Sequence, residues 1–344
     1  MSETLYRKYR PHTFKDVLGQ EAVVSALETS ISKDSLAHAY IFAGSRGTGK
    51  TSIARIFAKT LETSEDDIYE IDAASNRGID DIRAIRDAVH TLPFRSKYKI
   101  YIIDEAHMLT KDAWNALLKT LEEPPKHVIF IMATTELEKI PETILSRCET
   151  FAFRKPTEKI LKEVIEKTAE KEGFKIESEA AEIIALLADG SFRDSHGILQ
   201  KIASSSQTKK ITLADVEKIS GAPKIGLLID FLENFGKGDT KETLKALSTL
   251  EEQSSDVKMF GKLLLERMRQ VILLRIDAGF AEKLKDLYTK EHLDFLLNLS
   301  KTSKTINSEA VREFLHATGE IGMSFVQILP LELAVIKLLE EKGK

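Results

Sequence analysis

The stretch from Ala39 to Thr51, AYIFAGSRGTGKT, constrains this chain most, because a short apolar run passes into a glycine-rich loop closed by a Lys-Thr pair. The spacing of Gly44, Gly49, Lys50 and Thr51 is a complete P-loop. In such a loop main-chain N–H groups wrap phosphate oxygens, the lysine reaches the β and γ oxygens, and the threonine hydroxyl ligates Mg²⁺. The residues that follow, from Ser52 to Lys59, are good helix formers, so the phosphates would face a positively polarised helix N-terminus. The order is strand, loop, helix, which predicts an α/β nucleotide-binding domain.

The bulk of the sequence sets limits around that domain. At 344 residues the chain exceeds one compact core and is expected to form two or three domains. No apolar run is long enough to span a bilayer, so no membrane partner is expected. The opening MSETLYRKYRPHTF lacks the apolar core of an export signal. A single cysteine, Cys148, excludes an internal disulfide and a cysteine-rich zinc site, and suits a reducing cytoplasm. The net charge of −4 argues against a protein that coats nucleic acid with its whole surface, and leaves room for local basic patches.

Residues 5–20, LYRKYRPHTFKDVLGQ, are dense in Arg, Lys and Tyr, and Pro11 predicts an extended segment rather than a helix. This arm is either a basic surface segment or, with Val17 and Leu18, a wrap around the base of a nucleotide held by the P-loop. Glu21 to Ile31 has the spacing of an amphipathic helix, and Ile68 to Asp72 that of the second strand. In SNRGIDDIRAIRDAV, Asn76-Arg77-Gly78 opens a helix with Ile79, Ile82, Ile85 and Val89 on one face. Its first amides, with Arg77 beside them, suit a phosphate.

Lys99 to Glu105, KIYIIDE, is an apolar run ending in two carboxylates, the form of a Walker B strand. Asp104 would hold the Mg²⁺ shell and Glu105 would orient the attacking water. A buried strand ending in a solvated Asp-Glu turn looks the same in isolation, and the P-loop upstream decides between the two. Thr110 is the cap candidate of a helix carrying Trp114, Leu117, Leu118 and Leu121, stopped by Pro124-Pro125. Trp114 is expected in the core. Lys111 sits in the first turn against the dipole, which suits an anionic partner without requiring one. His127 to Ala133 is an apolar strand that delivers Thr134 and Thr135 to the edge where open parallel sheets hold ligands. Arg147, just before a last strand over Glu149 to Phe153, is either an ordinary surface residue or a finger given to a neighbour's nucleotide.

From Lys155 only helical spacing remains, with helices expected over 157–172 and 178–189 and a third beginning at Ser191 with Asp194 as capping-box acid. Thr212 repeats that cap with Asp215, and Gly221 closes the unit. Arg193 lies in a first turn, where the dipole disfavours a cation; locally, Asp194 or water answers its charge. Beyond Pro223, amphipathic helices over 225–235, 240–252, 257–277, 290–299, 308–320 and 331–341 carry generous apolar stripes. They suit a self-contained bundle or one that also packs on other subunits.

In order, LYRKYRPHTFKDVLGQ, GSRGTGKT, EIDAASNRGIDDIR, YIIDEAHML, NALLKTLEEPP, MATTELEKIPETILSRC and DGSFRDS resemble the bacterial DNA polymerase III gamma/tau family, the ATPases of the sliding-clamp loader. The likeness runs to residue 222; beyond it LPLELAVIKLL and helical character carry less. The resemblance implies an α/β P-loop AAA+ domain over 1–154 with a five-stranded parallel sheet in the order 5-1-4-3-2. An all-α lid over 155–222 and an all-α collar over 223–344 that assembles a pentamer would follow. It gives Gly44, Ser45, Arg46, Gly47, Thr48, Gly49, Lys50, Thr51 and Ser52 to the nucleotide, with Lys50 and Thr51 in the Walker A role. Asp104 and Glu105 become Walker B, Thr135 sensor 1, Arg147 the finger acting in trans, and Arg193 sensor 2, against the local preference above. A base pocket is implied near Tyr6, Arg7, Val17 and Leu18, a duplex-facing surface at Arg77 and Lys111, and a clamp-facing one at Leu92-Pro93-Phe94.

Two departures from the family pattern stand out. The four-cysteine zinc module usual between the P-loop helix and EIDAAS is missing, since Leu61 to Asp67 holds no cysteine, so no zinc is expected. The chain also stops after the collar, as in a minimal gamma form. The implied activity is ATP hydrolysis with Mg²⁺ that drives a sliding clamp open and onto primer–template DNA, beside other clamp-loader subunits. One rival is a non-hydrolysing structural subunit, which the intact GSRGTGKT and IIDE oppose. Another is a nucleic-acid helicase, suggested by the letters DEAH from Asp104 to His107, which would need a second α/β domain.

Overall fold

In the computed structural model, which describes residues 3–340 apart from Arg77, Gln207, Ala278 and Asp286, the chain divides into two units. One comprises residues 1–164 with 186–197, the other 165–185 with 198–344.

The first unit is built on five parallel strands, β1 (Ala39–Ala43), β2 (Ile68–Asp72), β3 (Lys99–Asp104), β4 (Val128–Thr134) and β5 (Glu149–Ala152), in the order β2-β3-β4-β1-β5. This is the order the resemblance implies, counted from the other edge. Its helices are α1 (Leu5–Lys8), α2 (Glu21–Ser32), α3 (Lys50–Thr60), α4 (Ile79–Ala88), α5 (Lys111–Glu122) and α6 (Glu142–Leu145). The unit also takes the first turns of α7 (Glu158–Lys171), the last residues of α8 (Ser178–Leu187) and the start of α9 (Phe192–Ser205).

Alternation along the central strands β1, β3 and β4 gives the sheet two dry faces there, while the edge strands β2 and β5 are partly exposed. Ile41, Tyr101, Ile103, Phe130 and Met132 pack with Ile82 and Ile85 of α4 and Trp114, Leu117 and Leu121 of α5. Tyr40, Phe42, Ile100, Ile102, Ile129 and Ile131 pack on the other side with Val23 and Leu27 of α2 and Ile53, Ile56 and Phe57 of α3. Burial on both faces is why these strands read as unbroken apolar runs. Each such side chain contributes about 1.5–3 kcal/mol. In the central strands β1, β3 and β4 polar groups are therefore confined to the ends, and the C-terminal ends of these strands bring Gly44, Asp104 and Thr134 to one edge. Trp114 is 3% exposed, a core residue as expected.

Three local differences have simple causes. The arm is not extended throughout: Leu5–Lys8 makes a helical turn and Phe14–Asp16 a 3₁₀ turn capped by Thr13 and Asp16. Pro11 restricts only itself and Arg10, so the residues before them are free to wind. The Walker B strand ends at Asp104, one residue early, because Glu105 adopts φ 49°, ψ 43°. The helix at SNRG begins at Ile79, with Gly78 as its cap.

The second unit continues α7 to α9 and adds α10 (Leu213–Ser220), α11 (Ile225–Lys237), α12 (Thr240–Glu252), α13 (Val257–Ile276), α14 (Phe280–Leu284), α15 (Lys290–Thr302), α16 (Ser308–Glu320) and α17 (Leu329–Leu339). The Thr212–Asp215 capping box and Gly221 at φ 72° stand where the spacing placed them. The short α14 was not foreseen, nor was the parallel pairing of β6 (Lys175–Ile176) with β7 (Lys210–Ile211), each too short to show a period. That pairing modifies the expectation of helices alone after Lys155. Among its described residues this unit holds no second α/β sheet of the kind a DEAH-type helicase needs.

Candidate functional site

The P-loop leaves β1 at Gly44 and enters α3 through Gly49, whose φ of 101° only glycine adopts at little cost. Gly47, at φ 75°, lies so close to Ser191 that an added Cβ would collide with its hydroxyl. These two glycines fix the path of the loop. Lys50, 6% exposed, donates from Nζ to the carbonyls of Gly44 at 2.8 Å and Ser45 at 2.9 Å. Burial holds its ammonium below the ordinary lysine value, against the opposing pull of Glu105 and Asp104. A buried cation met only by carbonyls is electrostatically incomplete, and an anion completes it. The buried Ser45 hydroxyl likewise has no hydrogen-bond partner among the described residues.

Across the edge, the Thr51 hydroxyl donates to Asp104 Oδ2 at 2.8 Å, which sets two hard oxygen ligands side by side, as Mg²⁺ requires. Asp104 Oδ1 accepts the Glu105 N–H at 3.0 Å, and the Glu105 carbonyl accepts the Met108 N–H at 2.8 Å. These bonds hold Glu105 in a left-handed conformation that costs a non-glycine residue about 1 kcal/mol or more. The Thr135 hydroxyl donates to Glu105 Oε2 at 3.3 Å, so the expected sensor 1 residue and the second Walker B carboxylate are in contact.

The same cleft is lined by Tyr6, Val17 and Leu18 of the arm, by Arg46 to Ile53, by Asp104 and Glu105, and by Arg193. Gln20 ties the arm down, donating to the Arg154 carbonyl at 2.7 Å and to the Thr48 carbonyl at 3.4 Å, and accepting the Arg154 N–H at 3.2 Å. Arg193 lies over the Tyr6 ring at 5.6 Å, on the cleft wall rather than against Asp194. Arg7 does not line the cleft; it is exposed, with its guanidinium 5.8 Å from the Tyr6 ring.

Sequence reasoning did not single out Tyr9, Arg10, Phe192 and His196, which line the same cleft together with Pro11, Asp16 and Val164. Tyr9 and His196 stack with centroids 6.2 Å apart and planes 6° from parallel. Burial lowers the His196 pKa, and its Nδ1 lies 2.7 Å from the Phe192 carbonyl. The signal was present: His196 falls three residues after Arg193, on the same side of one helix.

Arg147 lies elsewhere. It does not line this cleft; its guanidinium donates to the Thr143 carbonyl at 2.6 Å and to Glu122 at 2.8 Å. The side chain is 33% exposed and Ser146 beside it is exposed, so the segment is open to a neighbour. Burial pushes the Cys148 thiol up to about 12, which keeps it protonated and inert. Lys111 is exposed at the start of α5, and Arg77 lies outside the described residues. Leu92 and Phe94 are 78% and 75% exposed on a loop pinned by Asp67, which accepts the N–H groups of Arg95 and Ser96 at 2.9 Å.

Residues 19–77 and 62–157 match a family described as DNA polymerase III, delta subunit. The chain is 41% identical over 297 residues to DNA polymerase III subunit gamma/tau of Mycoplasma pneumoniae, covering 80% of this chain and 43% of that protein. It is 38% identical over 367 residues to DNA polymerase III subunit tau of Bacillus subtilis, covering 98% of this chain and 63% of that protein. The chain thus spans about half the length of the curated relatives it matches. Among solved structures, the Thermotoga maritima RuvB Holliday junction branch migration motor is similar with a TM-score of 0.54 and 23% identity, over 66% of this chain and 78% of that one. That likeness concerns the fold.

Proposed function

Because the chain belongs to the DNA polymerase III gamma/tau family, we propose that it is an ATPase motor subunit of a clamp loader. ATP binding and hydrolysis would open a sliding clamp and load it onto primed DNA. One observation carries this reading: Lys50, Thr51, Asp104, Glu105 and Arg193 line one cleft, with Thr135 bonded to Glu105, while Arg147 stands outside it on an open surface.

The residues fit Mg²⁺ and a triphosphate. Thr51 and Asp104 would hold the ion, which would neutralise phosphate charge during transfer. The P-loop amides and Lys50 cradle the phosphates, and Lys50 exchanges its two carbonyl partners for phosphate oxygens. Glu105 accepts a hydrogen bond from the attacking water and Thr135 keeps its carboxylate in place. Arg193 meets the γ-phosphate from the same chain, and Arg147 of one protomer meets that of the next, a contribution worth about 10³–10⁵ in rate for such fingers. Tyr6, Val17 and Leu18 take the base.

This reading extends to the rest of the chain. We assign residues 1–154 to the AAA+ domain, 155–222 to a lid and 223–344 to a collar that joins the other loader subunits in a heteropentamer. Lys111, with Arg77, would face primer–template DNA, and Leu92-Pro93-Phe94 the clamp. No zinc takes part, and the site of action is the cytoplasmic replisome. Phosphate release from ATP, measured with and without clamp and primed DNA beside the mass of the complex, tests the proposal. The expected result is slow basal turnover strongly stimulated by the two together. Turnover indifferent to both overturns it.

A further inference from the structure

The His107 side chain is only 7% exposed, and its two ring nitrogens face different groups. Nδ1 lies 3.2 Å from the Thr134 hydroxyl and 3.6 Å from Glu105 Oε2; Nε2 lies 3.2 Å from Glu136 Oε1. The Thr134 hydroxyl also accepts the Glu136 N–H at 3.0 Å, so the ring closes a loop between the β4 terminus and the turn after β3. The ring reaches these groups because Ala106–Met108 is a single 3₁₀ turn that folds residue 107 back on residue 105. Glu105 Oε2 is thereby flanked by the Thr135 hydroxyl at 3.3 Å and the imidazole Nδ1 at 3.6 Å, while Glu105 itself lines the cleft.

We propose that His107, braced by Glu136 and Thr134, is a positioning residue that fixes the rotamer of Glu105 and so decides which carboxylate oxygen meets the attacking water. This inference rests on the ATPase reading above. The backbone of Glu105 is already strained, but the strained turn fixes only where the side chain begins. Its side chain can still choose among staggered wells at χ1 and χ2 and turns softly at χ3, and a carboxylate misplaced by about 1 Å can cost up to 10²-fold in rate. Glu136 acts at one remove: Lys139, at 2.7 Å, holds its carboxyl below the usual carboxylate range, so it stays charged beside the ring edge that carries Nε2.

The test is steady-state ATP hydrolysis by the assembled complex with clamp and primed DNA. His107→Ala should lower kcat about tenfold and leave nucleotide affinity within about twofold. His107→Asn, which keeps a polar nitrogen at the Nδ1 position, should recover most of that loss. In a Glu105→Gln background His107→Ala should cost nothing more, because the group it positions is gone. Glu136→Gln, a surface change that leaves the core intact, should give a smaller fall in kcat of the same kind. An unchanged kcat in His107→Ala, an additive loss on top of Glu105→Gln, or no response to Glu136→Gln overturns the inference. If Glu105→Gln itself leaves turnover unchanged, the ATPase assignment of the site has failed instead.

Discussion

Lys50 and Arg267 are both cations buried to within a few per cent, 6% and 2% exposed, and their surroundings differ in kind. Arg267, in the second unit, meets the Glu182 carboxylate at 2.6 Å, the hydroxyl of Tyr288 and, at 4.3 Å, that residue's ring. Its charge is answered inside the fold. Lys50, in the first unit, meets two main-chain carbonyls and no carboxylate within ion-pair distance among the described residues. A buried charge that the chain itself neutralises belongs to the architecture; one left to be neutralised from outside marks a ligand.

Three variants sharpen or break that contrast on a common scale of stability, taken from the largest effect to the smallest. Arg267→Ala strands the Glu182 carboxylate in a dry interior and should cost about 3–5 kcal/mol, read from denaturant unfolding of the second unit's helices. Lys50→Met should leave the nucleotide-free protein as stable as before or slightly more so, since it removes a desolvated charge. It should also abolish the gain of about 2.7 kcal/mol that ATP at 100 times its Kd gives the parent. An equal loss of nucleotide-free stability in both variants would erase the distinction.

His292, beside the Tyr288 ring at 5.9 Å, gives the smallest effect. Burial and then Arg267 lower its pKa from 6.5 to about 4. The unfolded chain therefore binds more protons than the folded one between those values, and the stability contributed is present above pH 6.5 and lost as pH falls toward 4. His292→Gln should make the acid-side decline shallower by less than about 1.4 kcal/mol per pH unit, checked by thermal melts across that window.

What could be read from the residues follows the same division between local rule and distant contact. The glycine spacing at 44–51, the unbroken apolar strands and the Thr212 cap are local patterns, and each stands where it was expected. Helix α5 was legible from end to end, because Thr110 caps it by accepting the Ala113 N–H at 3.2 Å and Pro124-Pro125 stops it. The left-handed turn at Glu105 was not, since nothing in IIDEAH announces a positive φ at a glutamate. Neither was the contact of His107 with Thr134, twenty-seven positions away. The letters DEAH suggest a helicase, whereas in this fold their histidine returns to the carboxylate two residues before it. Arg7 and Tyr6 are neighbours in the arm, yet one turn of helix sends only the tyrosine into the cleft.

The proposed function requires a site divided between protomers, and mixing two defective chains tests that requirement most directly. Lys50→Met chains supply Arg147 without a competent cleft; Arg147→Ala chains supply the cleft without the finger. Each alone, assembled with partner subunits, clamp and primed DNA, should show stimulated ATP turnover reduced about 10³-fold or more. Assembled together they should recover measurable turnover at seams where an intact cleft meets an intact arginine. A mixture as inactive as either chain alone, or an Arg147→Ala chain that turns over like the parent, would contradict it.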